Sequence, residues 1–338
     1  MIRRPPYDAV VVVSFGGPEG PDDVLPFLEN VTAGRGVPRE RLEEVAEQYL
    51  AFDGVSPLPA HDRRLVELLS DELTRQGLEL PVYLGNRNWH PLLPDTVARM
   101  RDDGVERALA FVTSAYSSYS GCRQYREDID GARFVVGPGA PEIHKLRAFH
   151  NHPGFVEPFV DGTRDALGEL PGARLVFTAH SVPMSMAATS DYREQLADTA
   201  GLVAGAVGHD DWDLVWQSRS GPPQIPWLEP DVGDHLRDLG AGGTETVVLV
   251  PIGFVADHQE VRFDLDTEAR RVAEEAGVEL RRVPTPGHDP RYIEMIVELV
   301  TERLRGGERR ALGALGARQD VCGVGCCPRP QRPGTHAR

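Results

Sequence analysis

Two series of short apolar runs alternating with longer amphipathic segments constrain the fold of this chain most. In the first series, runs such as "AVVVVSF" and "RALAFVTS" are apolar at consecutive positions, which is typical of parallel strands buried on both faces. Segments with a helical pattern, such as "HDRRLVELLSDELTRQG", lie between these runs. Alternating strands and helices predict an α/β fold with a parallel sheet.

The alternation restarts in the second half. There "ARLVFTAH", "DLVWQSRS" and "ETVVLVPIG" read as strands, and "DYREQLADTAGLVAGAV" and the stretch from Asp257 to Ala276 read as helices. A chain of 338 residues also exceeds the usual size of one hydrophobic core. We therefore predict two doubly wound, Rossmann-like domains, residues 1–150 and 151–305, with a cleft between them and a C-terminal extension over residues 306–338.

Charge and composition narrow the class of partner. The net charge of -16 argues against nucleic acid and against broad attachment to anionic lipid, because both need a basic face. The longest apolar stretch, "TVVLVPIGFVA", is about half of what a membrane span requires. We expect a monomeric cytoplasmic protein without a transmembrane segment. No nucleotide is expected either, since "FGGPEGP" lacks the spacing of a nucleotide-binding loop.

One histidine and three acids stand out at predicted strand ends. His180 closes the strand of "FTAHSVP", where its ring would face the cleft, although a structural histidine is equally compatible with that position. Glu260, Asp264 and Glu268 recur every four residues and so share one helix face. A solvated face is the usual reading of such a run, but no basic residue is spaced to pair these acids at i+4. A histidine facing a carboxylate across a cleft can hold Fe²⁺ and can accept protons.

The four cysteines are Cys122, Cys322, Cys326 and Cys327. In a reducing compartment they are expected to be thiols or metal ligands before disulfides. Structural zinc and a [2Fe–2S] cluster fit the count equally, and four unremarkable thiols are the third possibility. The adjacent pair Cys326–Cys327 would strain a single tetrahedral ion more than a wider two-iron cluster.

Several segments, in order, resemble the ferrochelatase family: "FTAHSVP", "QSRSGPPQIPWLEP" and "GFVADHQEVRFDLDTEA". Others, "GVSPL", "GNRNWHP" and "TSAYSSYSGCRQYRED", are similar to its actinobacterial form, and the likeness runs from about Tyr7 to Arg305. The resemblance implies an enzyme of haem biosynthesis that inserts Fe²⁺ into a porphyrin. It implies two chelatase-fold domains and an acid-bearing helix widened into a π-turn. Coproporphyrin III is the favoured substrate and protoporphyrin IX the alternative.

The resemblance also assigns roles at the metal. It makes His180 and Glu260 the pair that binds iron and takes the pyrrole protons, and it makes Asp264 and Glu268 the continuation of an acidic path. Some relatives carry a tyrosine after the first strand that can touch iron. Phe15 stands there in this chain, so the opposite face of the porphyrin should be apolar.

Further roles concern the porphyrin rim. Ser56 of "GVSPL" and Tyr125 of "RQYRED" match the family's porphyrin-binding residues, with Tyr119 as a competitor for Tyr125. Arg35 of "GRG" is a candidate clamp for a propionate, because a guanidinium can bind a carboxylate in a bidentate manner.

For the cysteines, the resemblance favours a [2Fe–2S] cluster held by Cys122, Cys322, Cys326 and Cys327, since many such ferrochelatases carry one. Three rival functions remain: a non-catalytic haem-binding or haem-delivery protein, an electron-transfer iron–sulfur protein, and a cobalt or nickel chelatase. The presence of both His180 and Glu260 argues against the first of these rivals.

Overall fold

The structure, a computed structural model, describes residues 6–330. Residues 1–5 and 331–338, the outer ends of the first and last predicted domains, lie outside the described residues. The strands are β1 (Ala9–Ser14), β2 (Val82–Asn86), β3 (Arg107–Val112), β4 (Glu142–Lys145), β5 (Arg174–His180), β6 (Trp212–Gln217), β7 (Thr246–Val250) and β8 (Glu279–Arg282).

Helices follow nearly every strand. They are α1 (Pro21–Val31), α2 (Arg39–Leu50), α3 (Leu58–Arg75), α4 (Leu93–Asp102), α5 (Gln124–Val136), α6 (Pro153–Glu169), α7 (Met184–Ala187), α8 (Tyr192–Ala206), α9 (Val232–Ala241), α10 (Arg270–Glu275) and α11 (Pro290–Arg305). Two segments are π-helical, Tyr119–Arg123 and Val261–Ala269. No helix in the described part of the chain is long and apolar enough to cross a membrane.

The strands form two parallel four-stranded sheets, ordered β2-β1-β3-β4 and β6-β5-β7-β8. The two halves therefore have the same strand order, and the predicted fold class is confirmed. In each sheet the strand order reverses between the two central strands. The chain runs from β1 to β2 on one side and then crosses to β3 on the other side of β1, and β5, β6 and β7 repeat this pattern. Ligands of open α/β sheets bind at such a point, beyond the carboxyl ends of the strands.

Burial on both faces explains the apolar runs that predicted the strands. In β1, Val10 and Val12 face the large central core, whereas Val11 and Val13 face the layer of α4 and α5. Alternate residues of a strand point to opposite faces, so a strand covered on both faces has to be apolar throughout.

The central core runs through both halves. Phe111 from β3, Phe155 from α6 and Phe177 from β5 belong to the same apolar cluster. A buried ion pair lies at its border, where Arg147 donates to both carboxylate oxygens of Glu302 at 2.8 Å. These contacts place the two sheets in one packed unit; the domain boundary near residue 150 stays a prediction.

Two features depart from the sequence-based prediction. Asp257–Ala276 was expected to be one helix, but the structure has a π-helical segment, Val261–Ala269, followed by the short α10. This confirms the π-turn that the family resemblance implied. Strand β4, "EIHK", was not predicted, because a four-residue edge strand with charged ends has no clear apolar pattern.

Candidate active site

His180 and Glu260 meet at the point where the second sheet reverses its strand order. His180 is the last residue of β5, and Glu260 directly precedes the π-helical segment Val261–Ala269 that follows β7. The distance between His180 Nε2 and Glu260 Oε2 is 3.9 Å. Two ligands of one cation, each about 2.1 Å from it, are at most about 4.2 Å apart. The two atoms are therefore close enough to share a metal ion.

Gly253 allows this approach. A side chain at Gly253 would place its Cβ only 2.5 Å from the Cβ of Ala179. Without one, the loop after β7 packs directly on the end of β5, and Gly253 N–H donates to the carbonyl of Thr178 at 3.1 Å. Glycine at this position thus brings the acid-bearing segment beside His180.

The protonation of the His180 ring follows from its neighbours. Its Nδ1 lies 2.5 Å from the carbonyl oxygen of Ser181. A carbonyl can only accept, so Nδ1 carries the proton and Nε2 keeps its lone pair. The hydroxyl of Tyr192 donates to the His180 carbonyl at 2.9 Å and fixes this end of β5. The free nitrogen of His180 can therefore bind a cation or accept a proton.

Asp264 lies one turn behind Glu260 and is partly buried. It accepts hydrogen bonds from Ser218 and, at 3.5 Å, from Gln217 at the end of β6. Burial raises the pKa of Asp264 to about 7, and the charges of Glu260 and Glu268 act in the same direction. A carboxyl group with such a pKa can both take up and release a proton near neutral pH.

The raised pKa of Asp264 predicts a pH-dependent cost to stability. A carboxyl whose pKa is higher in the folded than in the unfolded state makes the folded state lose stability as pH rises from about 4 to 7. We expect Asp264→Asn to raise the free energy of unfolding by about 1–2 kcal/mol at pH 8 and by less at pH 5.

Urea denaturation at pH 5, 6.5 and 8 checks this prediction. Glu274→Gln, an exposed acid on α10, serves as the control and should change stability little at any of these pH values. A stability difference between Asp264→Asn and the original protein that is the same at all three pH values would contradict the raised pKa.

Glu260, Asp264 and Glu268 together form an acidic ribbon. Glu268 lies at its outer end and is exposed.

Two groups at this site were missed by the sequence analysis. Burial raises the pKa of Tyr49, and the charges of Glu260 and Asp264 raise it further, which places this α2 tyrosine near both acids. His258 accepts the backbone N–H of Glu260 at Nδ1, at 3.2 Å, and so fixes the start of the turn. For His258 the signal was its place two residues before Glu260; for Tyr49 the sequence has no local signal.

An aromatic wall lies beside α2. Phe27 packs against Phe15, Tyr49 and Trp89, with ring centroids 5.9–6.2 Å apart. Phe15 thus has an aromatic neighbour in Phe27, and the guanidinium carbon of Arg87 also lies 5.8 Å from the centre of its ring.

The predicted rim residues Ser56 and Arg35 occupy different settings. Ser56 is buried, accepts the N–H of Leu58 at 3.3 Å, and lies so close to Gly17 that a Cβ there would be 2.6 Å from its hydroxyl. Arg35 is exposed in the loop between α1 and α2. The structure thus places Ser56 at a helix start and leaves Arg35 free to reach a ligand; neither role at a porphyrin is tested.

The two candidate tyrosines differ in what their hydroxyl groups bind. Tyr119 donates to Glu127 at 2.9 Å and accepts from Arg329 of the C-terminal extension at 2.5 Å. Tyr125 is buried beneath Arg87, whose guanidinium carbon lies 4.4 Å from the ring centroid. Tyr125 also interacts through its hydroxyl with Arg87 and Thr113, so both tyrosines are engaged within the protein and the choice between them stays a prediction.

The expected [2Fe–2S] cluster is corrected by the structure. Over residues 6–330 there is no group of three or more histidine, cysteine or acidic side chains arranged to hold a metal. Burial raises the pKa of the Cys322 and Cys327 thiols, and the neighbouring Cys326 thiol raises both further. Cys122 and Cys326 are free thiols as well, and Cys326 Sγ lies 3.6 Å from Cys327 Sγ. The expected cluster-binding group is therefore not found among the described residues.

Arginines hold the extension instead. Arg123 donates to the carbonyls of Val324 at 2.8 Å and Cys326 at 3.2 Å, and Arg329 donates to Glu127 at 3.2 Å. The end of the extension is thus attached to the first half of the chain, and Arg318, which pairs with Asp191, attaches its earlier part to the second half.

Comparisons with known proteins show what the chain is similar to. A family model described as Ferrochelatase matches residues 7–304. The chain is 53% identical to the coproporphyrin III ferrochelatase of Nocardia farcinica, over 98% of this chain and 99% of that one. It is 52% identical to the coproporphyrin III ferrochelatase of Streptomyces coelicolor, over 97% and 95% of the two chains. A ferrochelatase of Rhodopirellula baltica is 51% identical, over 98% and 97%.

Solved structures with a similar fold are more distant in sequence. SirB from Bacillus subtilis with Fe³⁺ aligns with a TM-score of 0.56 at 12% identity, over 88% of this chain and 96% of that one. CbiX, the terminal enzyme of sirohaem biosynthesis in denitrifying bacteria, aligns with a TM-score of 0.51 at 14% identity, over 88% and 99%. At this identity the likeness concerns the fold alone.

Proposed function

Since the chain belongs to the ferrochelatase family, we propose that it inserts Fe²⁺ into coproporphyrin III, an enzymatic step of haem biosynthesis. The observation that carries the proposal is the pairing of His180 Nε2 and Glu260 Oε2 at 3.9 Å, at the strand-order reversal of the second sheet. The names of the similar proteins support coproporphyrin III as the substrate, and protoporphyrin IX is the alternative.

The reaction has two demands that this site can meet. Fe²⁺ is bound well by imidazole nitrogen and carboxylate oxygen, which His180 and Glu260 supply. Two pyrrole N–H protons must also leave the macrocycle, and an imidazole and a carboxylate are groups that can accept them. Because His180 Nδ1 donates to Ser181, only Nε2 can act on metal or proton.

Asp264 and Glu268 continue the path outward in this proposal. Glu260 is about half exposed, Asp264 is partly buried, and Glu268 is exposed, so the three acids lead from the cleft to solvent. With a pKa of about 7, Asp264 can receive a proton and pass it on without holding it tightly.

The porphyrin is proposed to lie between the His180–Glu260 pair and the aromatic wall around Phe27. Phe15 and Trp89 would contact the ring face, and Tyr125 and Arg35 are candidates for its propionates. Bending the macrocycle exposes its nitrogen lone pairs, and contacts with its rim can supply the required energy. A monomeric state and a cytoplasmic location stay predictions.

The substrate prediction is checked by anaerobic Fe²⁺ insertion with the two porphyrins side by side. We expect kcat/KM for coproporphyrin III to exceed that for protoporphyrin IX by about tenfold or more, because each additional propionate can pair with a polar group at the cleft mouth. A higher kcat/KM for protoporphyrin IX would reverse the assignment. Porphyrin binding without insertion of iron would instead support the haem-binding alternative.

A further inference from the structure

Arg282, the last residue of β8, is surrounded by the acid-bearing segment. Its side chain is only 14% exposed. Nε donates to Asp266 Oδ1 at 2.5 Å and Nη2 to Asp266 Oδ2 at 3.0 Å. Nη1 and Nη2 donate to the two oxygens of Asp257, each at 3.1 Å, and Nη1 also donates to the Val283 carbonyl at 3.2 Å. A guanidinium has five N–H donors, so all of them are engaged.

The two aspartates flank Glu260 in the chain. Asp257 precedes it by three residues and also accepts the backbone N–H of Thr285 at 3.3 Å. Asp266 follows Glu260 by six residues, inside the π-helical segment Val261–Ala269. A single side chain from the edge strand thus connects both sides of the turn that carries Glu260.

The π-helical segment is expected to need stabilising contacts with other elements. A π-helical segment is a rare conformation that is found mostly at functional sites. Asp264 attaches one side of it to the end of β6 through Ser218 and Gln217. Arg282 attaches the other side to the end of β8. The segment is therefore held between two strand ends, with Glu260 at its start.

We propose that Arg282 is a positioning residue for metal insertion: by holding Asp257 and Asp266 together, it keeps the Glu260 carboxylate opposite His180. The proposal rests on the proposed function, because it concerns the same site. Asp257 and Asp266 act here as anchors and not as iron ligands, since both carboxylates are engaged by the guanidinium. Misplacing a catalytic group by about 1 Å can cost about 100-fold in rate.

The test compares Arg282→Met with Arg281→Met. Arg281 is the neighbouring residue on β8, is about half exposed, and pairs with Glu169, so it is a matched control. We expect Arg282→Met to lower kcat for Fe²⁺ insertion by about 10- to 100-fold and to raise KM for Fe²⁺, with KM for the porphyrin within about twofold. Arg281→Met should leave all three constants nearly unchanged.

Hydrogen exchange gives a second measurement that does not depend on activity. Amides of residues 257–269 should exchange faster in Arg282→Met, and those of β5 should not. Arg282→Lys should give an intermediate kcat, because an ammonium keeps the charge but cannot engage two carboxylates as a planar fork. If Arg282→Met does not fold, Asp266→Asn, which removes one side of the clamp with the same shape, decides the question by the same measurements.

Unchanged kcat together with unchanged exchange over residues 257–269 in a folded Arg282→Met would overturn the proposal. So would an equal rise in KM for iron and porphyrin with faster exchange throughout, which would indicate a general loss of structure. If the original protein inserts no iron, the proposed function fails, but the exchange experiment still tests whether Arg282 holds the turn.

Discussion

His180→Ala is expected to abolish Fe²⁺ insertion while the porphyrin still binds. His180 Nε2 lies 3.9 Å from Glu260 Oε2, and its proposed work is on the metal and the pyrrole protons. Loss of a general base alone costs about 100- to 10,000-fold, and loss of an iron ligand adds to that. We expect kcat to fall by at least about 1,000-fold, measured anaerobically with coproporphyrin III.

Porphyrin binding separates this effect from a loss of structure. Fluorescence titration should give a porphyrin Kd within about threefold of the original, because the contacts with the rim do not involve the imidazole. His209→Ala is the control: this histidine bonds the Ala173 carbonyl at 3.2 Å and takes no part in the cleft in our proposal. Retention of a tenth of the original kcat in His180→Ala would remove His180 from the mechanism.

The strands that carry the site could be predicted because they lie in the middle of the sheets. β1, β5 and β7 are covered on both faces, so their apolar runs are uninterrupted and visible in the sequence. The edge strand β4 alternates buried and exposed residues over four positions, which is too short for its pattern to be recognised. Strands buried on two faces are therefore the easiest to recognise, and of the edge strands the longer β6 was still predicted from its apolar residues.

The site was predictable as far as it depends on strand ends. His180 and the acids after β7 were identified because parallel strands bring their carboxyl ends to one edge. Tyr49 was missed because it comes from a helix that is about two hundred residues away from Glu260 in the chain, and only packing brings them together. Arg282 was missed for a similar reason: an arginine on a charged edge strand looks like a solvated residue until its two partners are known.

Whereas Tyr49 and Arg282 were missed, the cysteines were given a metal-binding role on too little information. Their number and compartment indicated a shared metal, but neither fixes the direction of a side chain or the state of a thiol. In the structure, the extension is held by hydrogen bonds of Arg123, Arg318 and Arg329. Residue counts can propose a ligand set; only geometry and protonation can support it.

Glu260→Gln should produce a loss nearly as large as that of His180→Ala, for a different reason. The amide keeps the shape and volume of the side chain, but it has neither the charge that attracts Fe²⁺ nor the basicity that accepts a proton. We expect kcat to fall by about 100- to 1,000-fold with the porphyrin Kd unchanged. KM for Fe²⁺ should rise as well, because a charged ligand has become a neutral one.

Glu268→Gln provides the matched control, because it makes the same chemical change eight residues later on the same acidic ribbon. Glu268 is exposed and lies beyond Asp264, so bulk water can replace it as a proton acceptor, and kcat should fall by no more than about threefold. A much larger loss of kcat in Glu260→Gln than in Glu268→Gln would place the chemistry at the Glu260 end of the ribbon. Equal losses in both would instead mean that the ribbon attracts iron by its overall charge, and that the 3.9 Å pairing of His180 and Glu260 has no special part in insertion.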